Sequence, residues 1–482
     1  MHKAMIFRIL GILLMVFSLA LIPPLAVSLI YQDQGLIPFL ETLAITFVAG
    51  AILWYPARNK HQSLRTRDGF VIVALFWLVL TLVGSLPFML VSELGLNFTD
   101  AFFESASGWT TTGSTVITGL DDLPKSLLFY RQLLQWFGGM GLIVLAVAIL
   151  PMLGIGGMQL YRTEIPGPSK DSKLTPRIAE TAKSLWYIYL SLTVTCALAY
   201  WVAGMSLFDA VAHSFSTVAT GGLSTYDASI GHFNNMAIEI ICIVFMILGS
   251  INFALHFFTV RSRSIGHYFK DPEFKLMLII IALATVMCTV ILADYSVHEP
   301  ITAMRYAAFQ VVSILTTSGF GIDDFSAWPL FLPVFILFLG FSSGCAGSTV
   351  GGVKLIRVIL LFKQGSREIK RLIHPNGVFK IKVGGHSVDS RISEAVWGFL
   401  SVYVFIYIIL MMVLMLTGID MVTSFSAIGA TLNNIGPGLG EVAANYKDVN
   451  DIAKWVLSIA MILGRLEIFT LLVLLTPAFW RQ

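Results

Sequence analysis

The sequence predicts an all-α polytopic membrane protein, with two leading spanning helices and then four helix–re-entrant loop–helix units around one pseudo-fourfold axis. Three observations predict it. The 482 residues are 56% hydrophobic and only 12% charged, against roughly a quarter charged in a soluble domain, and the mean hydropathy is +0.82. Apolar runs of about 20 residues, the length that crosses a bilayer, recur along the chain. Between them a short polar segment ending in glycine returns four times. A soluble enzyme is excluded by the first of these. Nucleic acid is not an expected partner, because the net charge is only +3 and its cations are segregated by side of the membrane.

The elements follow in order. The apolar stretch from Ile6 to Leu29 outruns a signal-peptide core of about 7–15 residues and lacks a small-residue cleavage site, so it reads as an uncleaved span. Spans are expected near 6–31, 37–56, 70–92, 127–150, 184–204, 235–258, 274–294, 329–360, 395–417 and 455–478. The expected organisation is an accessory pair over 1–57, then repeats over 70–150, 184–258, 274–360 and 395–478. The stretch 329–360 is too long for one crossing and is interrupted at 340–352 by "GFSSGCAGSTVGG". Most of the 31 Lys and Arg fall at the N-terminus, in 57–69, 151–183, 259–275 and 361–393, and at the C-terminus. The opposite loops hold few: Lys125, Arg131, Arg305, Lys447 and Lys454. The positive-inside rule therefore expects both termini in the cytoplasm and the loops after spans three, five, seven and nine outside.

Those four outward loops match. Residues 100–115 read "DAFFESASGWTTTGST", 209–225 "DAVAHSFSTVATGGLST", 306–321 "YAAFQVVSILTTSGFG" and 423–438 "TSFSAIGATLNNIGPG". Ser105 and Ser107 match Ser214 and Ser216, Ser313 and Phe425 hold corresponding places, and Gly113, Gly222, Gly319 and Gly436 are in register. Each copy is about ten helix-compatible residues followed by a polar element. Non-helical backbone at membrane depth is tolerated where it lines an aqueous path, its carbonyls can replace a cation's hydration shell, and glycine permits the backbone angles this needs. The expected filter is Thr111, Thr112, Gly113, Thr220, Gly221, Gly222, Thr317, Ser318, Gly319, Asn434, Ile435 and Gly436, with a cation at their backbone carbonyls. The alternative is four re-entrant turns in a transporter without a central filter.

Five glycines and three serines in 340–352 oppose a continuous helix, at about 1 kcal/mol for each interior glycine. Gly340, Ser342, Ser343, Gly344, Cys345, Ala346, Gly347, Ser348, Thr349, Gly351 and Gly352 are therefore expected to form a flexible loop beneath the filter, able to block the path; a passive kink that lets helices pack closely is the other reading. Arg465, in "MILGRLEIF", lies deep in the last span, where an arginine is costly and marks either a function or an ion pair. Glu467 is too near in sequence to share its helix face. Lys354 and Arg357 are expected to snorkel to the cytoplasmic interface.

Asp100, Asp121, Asp122, Asp209, Asp227, Asp323, Asp324, Asp420 and Glu441 lie in or beside the outward loops. Such charges either concentrate cations or simply solvate the loops, and Asp100 and Asp209 are equally placed to be helix N-caps. The basic segments 361–393 and 161–177 are candidates for docking a cytosolic partner or anionic lipid. Cys196, Cys242, Cys288 and Cys345 fit neither a zinc site nor a disulfide framework and read as packing residues. Scattered histidines such as His213 and His256 and the absence of a phosphate-binding loop leave no enzyme, and no nucleotide is expected on this chain.

With "TTTGS", "ATGGLS", "TTSGFG" and "NNIGPG", "YRQLLQWFGGMGLIVLAVAILP", "FSSGCAGSTVGGVKLIRV" and "GRLEIFTLLVL" in hand, the chain resembles the TrkH-type membrane subunits of the Trk/Ktr/HKT superfamily of potassium transporters over essentially its whole length. The resemblance implies a K+-channel-like arrangement of four M1–P–M2 units, K+ as the transported ion, a homodimer with one pore per protomer, and a cytosolic RCK-type (TrkA-like) nucleotide-binding regulatory partner. It also implies that the intramembrane loop and Arg465 gate the pore, in a bacterial inner membrane. A tetrameric K+ channel carries TVGYG in every copy, whereas here only one glycine per repeat is common, followed by Ser114, Leu223, Phe320 or Pro437. Weaker discrimination is therefore expected. The alternative function is K+ symport with H+ or Na+, for which Glu104 and Glu467 are the plausible carboxylates. Alternating-access symporters are commonly built from inverted repeats, whereas these repeats share one orientation.

Overall fold

The computed structural model describes residues 3–59, 66–141 and 178–481. The end of the span expected over 127–150 and the whole of the docking candidate 161–177 lie outside the described residues. Helices long and apolar enough to cross a membrane run over Lys3–Tyr31, Leu36–Ala57, Arg67–Leu90, Lys183–Val202, Pro272–Asp294 and Ile392–Leu416. Two further candidate spans are bent pairs, Met236–Ser250 with Phe253–Ser262 at 98° and Asp451–Arg465 with Phe469–Leu475 at 112°. The single crossings expected over 235–258 and 455–478 are therefore corrected to broken ones. At the first break Asn252 caps the second helix through Ala254 N–H. At the second, Glu467 and Ile468 both take positive φ, 51° and 59°, so the chain turns sharply without glycine or proline at the corner.

Four short helices, Phe98–Trp109, Leu207–Val218, Pro300–Leu315 and Met421–Leu432, are buried along most of their length. Asn97, Ser206 and Asp420 cap three of them with side-chain acceptors; the third copy instead starts on Pro300, whose fixed φ suits the first helical position. Asp100 and Asp209 thus sit three residues inside the caps, and the expectation that they are N-caps is corrected. After each short helix comes an extended polar strand and then a helix: Lys125–Gly139, Met236–Ser250, Leu332–Leu339 or Asp451–Arg465. All four of these helices stop beside a glycine, namely Gly138, Gly249, Gly340 or Gly464. A β-carbon on Gly138, Gly249 or Gly464 would stand 2.0, 2.9 or 2.1 Å from the carbonyl oxygen of Trp109, Val218 or Leu432, the last residue of the preceding short helix. The glycines let the longer helix lie directly against that terminus.

The interruption at 340–352 is ordered. Ser342–Ser343 and Val353–Lys354 pair as a two-residue parallel ladder, and the Leu355–Ile373 helix continues from it. The basic segment 361–393 is helical to Ile373 and then forms a small hairpin in which Lys382–Val383 pairs with His386–Ser387. The largest buried cluster joins the N-terminal helices to the first and last short helices, from Met5 and Phe39 through Phe103 and Trp109 to Ile428 and Leu457.

Candidate functional site

Each short helix ends in the same backbone motif. The residue after its C-cap has positive φ: Thr111 at 54°, Thr220 at 53°, Thr317 at 50° and Asn434 at 53°. The next amide reaches back five residues: Thr112 to Ser107 O, Gly221 to Ser216 O, Ser318 to Ser313 O and Ile435 to Ala430 O, over 2.7–2.9 Å. This is the hydrogen bonding of a Schellman cap, whose left-handed residue is usually glycine. A β-branched residue there is strained by about 1–2 kcal/mol, so three threonines in that position mark backbone held by its surroundings. The four helix C-termini carry partial negative charge, about half a unit each, toward the strands, which favours a cation.

Two residues further on, the glycines take φ of +85° (Gly113), +78° (Gly222), +77° (Gly319) and +103° (Gly436). A β-carbon on Gly113 would meet Gly221 O at 2.2 Å, on Gly222 Ser318 O at 1.9 Å, on Gly319 Ile435 O at 2.2 Å and on Gly436 Thr112 O at 2.7 Å. The contacts run from the first strand to the second, third and fourth and back to the first. The twelve expected filter residues therefore lie together on four strands that close a ring, and every glycine abuts the backbone of its neighbour.

Side chains hold this ring from behind. Gln135 donates from Nε2 to Gly221 O (2.6 Å) and accepts from Leu223 N–H at Oε1 (3.2 Å), and Gln132 donates to Leu223 O (3.1 Å). Arg131 pairs with Glu104 (Nε to Oε1, 2.8 Å) and donates to Ser224 O and Thr115 Oγ1; both charged groups are essentially inaccessible. Ser114 Oγ and Tyr446 Oη both donate to Gly436 O, at 3.0 and 2.9 Å. Sequence reading missed Gln132, Gln135 and Tyr446, and named Glu104, Arg131 and Ser114 without this supporting role. Its available signal was "RQLLQ", which sets Arg131, Gln132 and Gln135 on one helical face by i, i+3 and i+4 spacing within an apolar run.

The loop 340–352 lies against the ring. Thr349 Oγ1 is 3.1 Å from Thr220 Oγ1 and donates toward Gly249 O and Val218 O. Gly351 N–H donates to Thr317 Oγ1 at 2.9 Å. Cys345 N–H donates to Ser250 O, and Phe253 N–H to Gly347 O. The buried Glu273 carboxylate accepts from Ala346 and Ile356 N–H, at 2.9 and 3.2 Å. Arg465 donates to Thr349 O (2.9 Å) and Gly138 O (2.6 Å) and stands over the Trp77 ring. In this state the loop is fastened on every side, where the sequence suggested flexibility. Lys354 and Arg357 do not snorkel: Lys354 Nζ donates to Val350 O and Arg357 pairs with Glu467, all within the fold. Arg357 is held there by the Glu467 carboxylate and the Phe399 ring, and Lys354 by main-chain carbonyls.

Most of the outer acidic residues have structural partners. Asp100 pairs with Lys454 at 2.6 Å; Asp209 accepts from Ser206, Thr225 and Tyr226; Asp227 accepts from Gly119 and Leu120 N–H; Asp323 meets His298 and Trp328. The four cysteines are free and buried.

The model of a cation transport protein family, TrkH, matches residues 37–481. The chain is 56% identical over 480 residues to the Trk system potassium uptake protein TrkH of Vibrio parahaemolyticus, covering 99% of both chains. It is 53% identical over 483 residues to the protein of that name in Escherichia coli K12, covering all of both, and 41% identical to TrkG of the same strain, covering 100% of this chain and 99% of that one. The crystal structure of the potassium transporter TrkH from Vibrio parahaemolyticus superposes with a TM-score of 0.91 at 53% identity, covering all of both chains.

Proposed function

The chain belongs to the TrkH family of cation transport proteins, and on that premise we propose that it takes up potassium across a bacterial inner membrane through a channel-like pore with both termini in the cytoplasm. Four M1–P–M2 repeats, over 70–150, 184–258, 274–360 and 395–478, surround the pore, and the pair within 1–57 packs outside it. The observation that carries the reading is the closed ring of four positive-φ glycines, each against the next strand's carbonyl. A ring of backbone oxygens at the negative ends of four helices suits a dehydrated monovalent cation, K+, and needs no fixed charge.

The filter is the set of twelve residues from Thr111 to Gly436 named above. The loop 340–352, held by Arg465 at Thr349 O, is the gate in its closed state, and release of that loop opens the path. A cytosolic RCK-type nucleotide-binding subunit sets the loop's position from the cytoplasmic side, and the chain works as a homodimer with one pore in each protomer. Glu104 and Glu467, the carboxylates available for coupled symport, are both engaged by arginines, Arg131 and Arg357, which supports a path without proton exchange at its centre.

Purified protein in liposomes, with K+ opposed to Na+ at equal and then unequal pH, tests this. A reversal potential that follows the K+ gradient and ignores pH is expected. A reversal that moves with the proton gradient in fixed stoichiometry overturns the channel-like reading in favour of symport.

A further inference from the structure

The gate loop continues directly into the Leu355–Ile373 helix, whose far half carries a feature that cation transport does not use. Between that helix and the following hairpin lies a cleft of about 610 Å³ whose lining includes Lys363, Arg367, Lys370, Phe379, Lys380 and Lys382. The cleft is built rather than accidental. Ile381 anchors the hairpin in a buried cluster with Ile356, Leu360 and Val396, and Lys363 Nζ ties it to the helix by donating to Lys382 O. Five cations line the space, and the nearby acid Glu368 is shared between Arg367 and Arg371, 3.3 Å from each. Lys370, Lys380 and Lys382 have no ion-pair partner among the described residues. Beside the basic face, about a quarter-turn round the same helix, Phe362, Ile369 and Ile373 form an exposed apolar stripe, 77%, 62% and 65% accessible, with Val378 (87%) next to it.

A basic face adjoining an apolar stripe on one helix is the pattern of an element at the boundary between acyl chains and headgroups. We infer that this cleft binds the phosphodiester headgroup of an anionic phospholipid of the inner leaflet, with Phe362, Ile369 and Val378 against its acyl chains. The orientation proposed above puts the cleft on the cytoplasmic side, where anionic headgroups meet juxtamembrane cations. Lysine ammonium groups serve as point charges for phosphate oxygens, and the apolar stripe beside them favours a lipid over a soluble phosphate or an acidic protein. The helix that forms one wall begins at the gate ladder, with Ile356 N–H on Glu273 and Arg357 on Glu467. An occupied cleft therefore fixes the far end of the element on which the gate loop hangs.

The full chain in nanodiscs of phosphatidylcholine with or without phosphatidylglycerol tests this, with native mass spectrometry reading the lipid kept after detergent release. Wild type is expected to retain phosphatidylglycerol selectively, and the variant K370Q/K380Q/K382Q to retain about tenfold less. The charge-matched control R261Q/R263Q/K270Q, on the same side but outside the cleft, is expected to retain as much as wild type. Sodium triphosphate is the competitor for a free-phosphate site. Equal retention of the two lipids, an equal loss in the control, or displacement of the lipid by micromolar triphosphate each overturns the assignment. All substituted side chains are surface-lying, and an unchanged melting curve verifies that the variants fold.

Discussion

At Gly222 the ring has no room for one more carbon. A β-carbon would lie 1.9 Å from Ser318 O on a backbone at φ +78°, and that oxygen is main chain, so the clash cannot be relieved by a rotamer. Gly222→Ala is expected to abolish selective Rb+ uptake, by tenfold or more, as one misplaced strand distorts all four. Gly119 has nearly the same angle, +73°, with nothing within 4 Å; Gly119→Ala adds only left-handed strain of about 1–2 kcal/mol, and uptake should survive. If both variants transport alike, steric closure of the ring is not what the glycine provides. Arg131 poses a different question. Removing it strands Glu104 in a buried site, a change that typically costs about 3–5 kcal/mol. Arg131→Met is therefore expected to lower thermal stability sharply, and Arg131→Met with Glu104→Gln to recover much of the loss. A double variant no more stable than the single one would show that the pair acts by shape rather than charge.

Among the elements, the 340–352 loop depends on hydrogen bonds from several directions; Arg465 contributes one of them through Thr349 O and is itself tied to the Lys125–Gly139 helix through Gly138 O. If the loop is the gate proposed above, Arg465→Ala is expected to raise K+ flux severalfold with an unchanged reversal potential, because it frees the loop and leaves the glycine ring intact; a shifted reversal potential would instead place Arg465 in ion selection. A second fastening lies at Asp33, between the first two spans. Burial raises its carboxyl, but hydrogen bonds from Ser28, Ser126 and Gly35 outweigh that and hold it below the usual 3.8. A group depressed on folding stabilises fully above its unfolded pKa and loses that contribution as pH falls through the folded value. Wild type should thus lose a stability increment over Asp33→Asn below about pH 4, read by melting temperature across pH 3–6. The four short helices and the central break were legible in sequence because glycine at a crowded, positive-φ position has no substitute. The breaks at Ile251–Asn252 and Leu466–Ile468 were not: the polar residues there, Ser250 and Asn252 or Arg465 and Glu467, interrupt otherwise apolar runs without proline, and Glu467 and Ile468 adopt positive-φ angles that their residue types disfavour. Nor was the fate of Lys354 and Arg357, since snorkelling is the expectation for a cation near a helix end until a buried partner such as Glu467 is seen.

Over the whole molecule, the site belongs to no single segment. Gly436 O accepts from Ser114, and Asn434 Nδ2 donates to Thr112 Oγ1, so the first and last strands meet across most of the chain. Sequence could align the four copies, but their order around the ring and the supports behind it, Gln135 and Tyr446 among them, come from packing that no local pattern encodes. One consequence can be measured. A ligand bound by all four strands binds only the closed fold, and it stabilises that fold by RT ln(1 + [L]/Kd), about 2.7 kcal/mol at a hundredfold excess over Kd. On the proposed reading, melting temperature in detergent should rise as K+ or Rb+ replaces Na+ at constant ionic strength, and Gly222→Ala should erase that increment while Gly119→Ala keeps it. Constant ionic strength holds screening of surface charges fixed, so a difference between the cations reports occupancy of a size-selective site. Equal melting in K+ and Na+ would mean that the ring as built does not distinguish them, and that selectivity must arise elsewhere along the path.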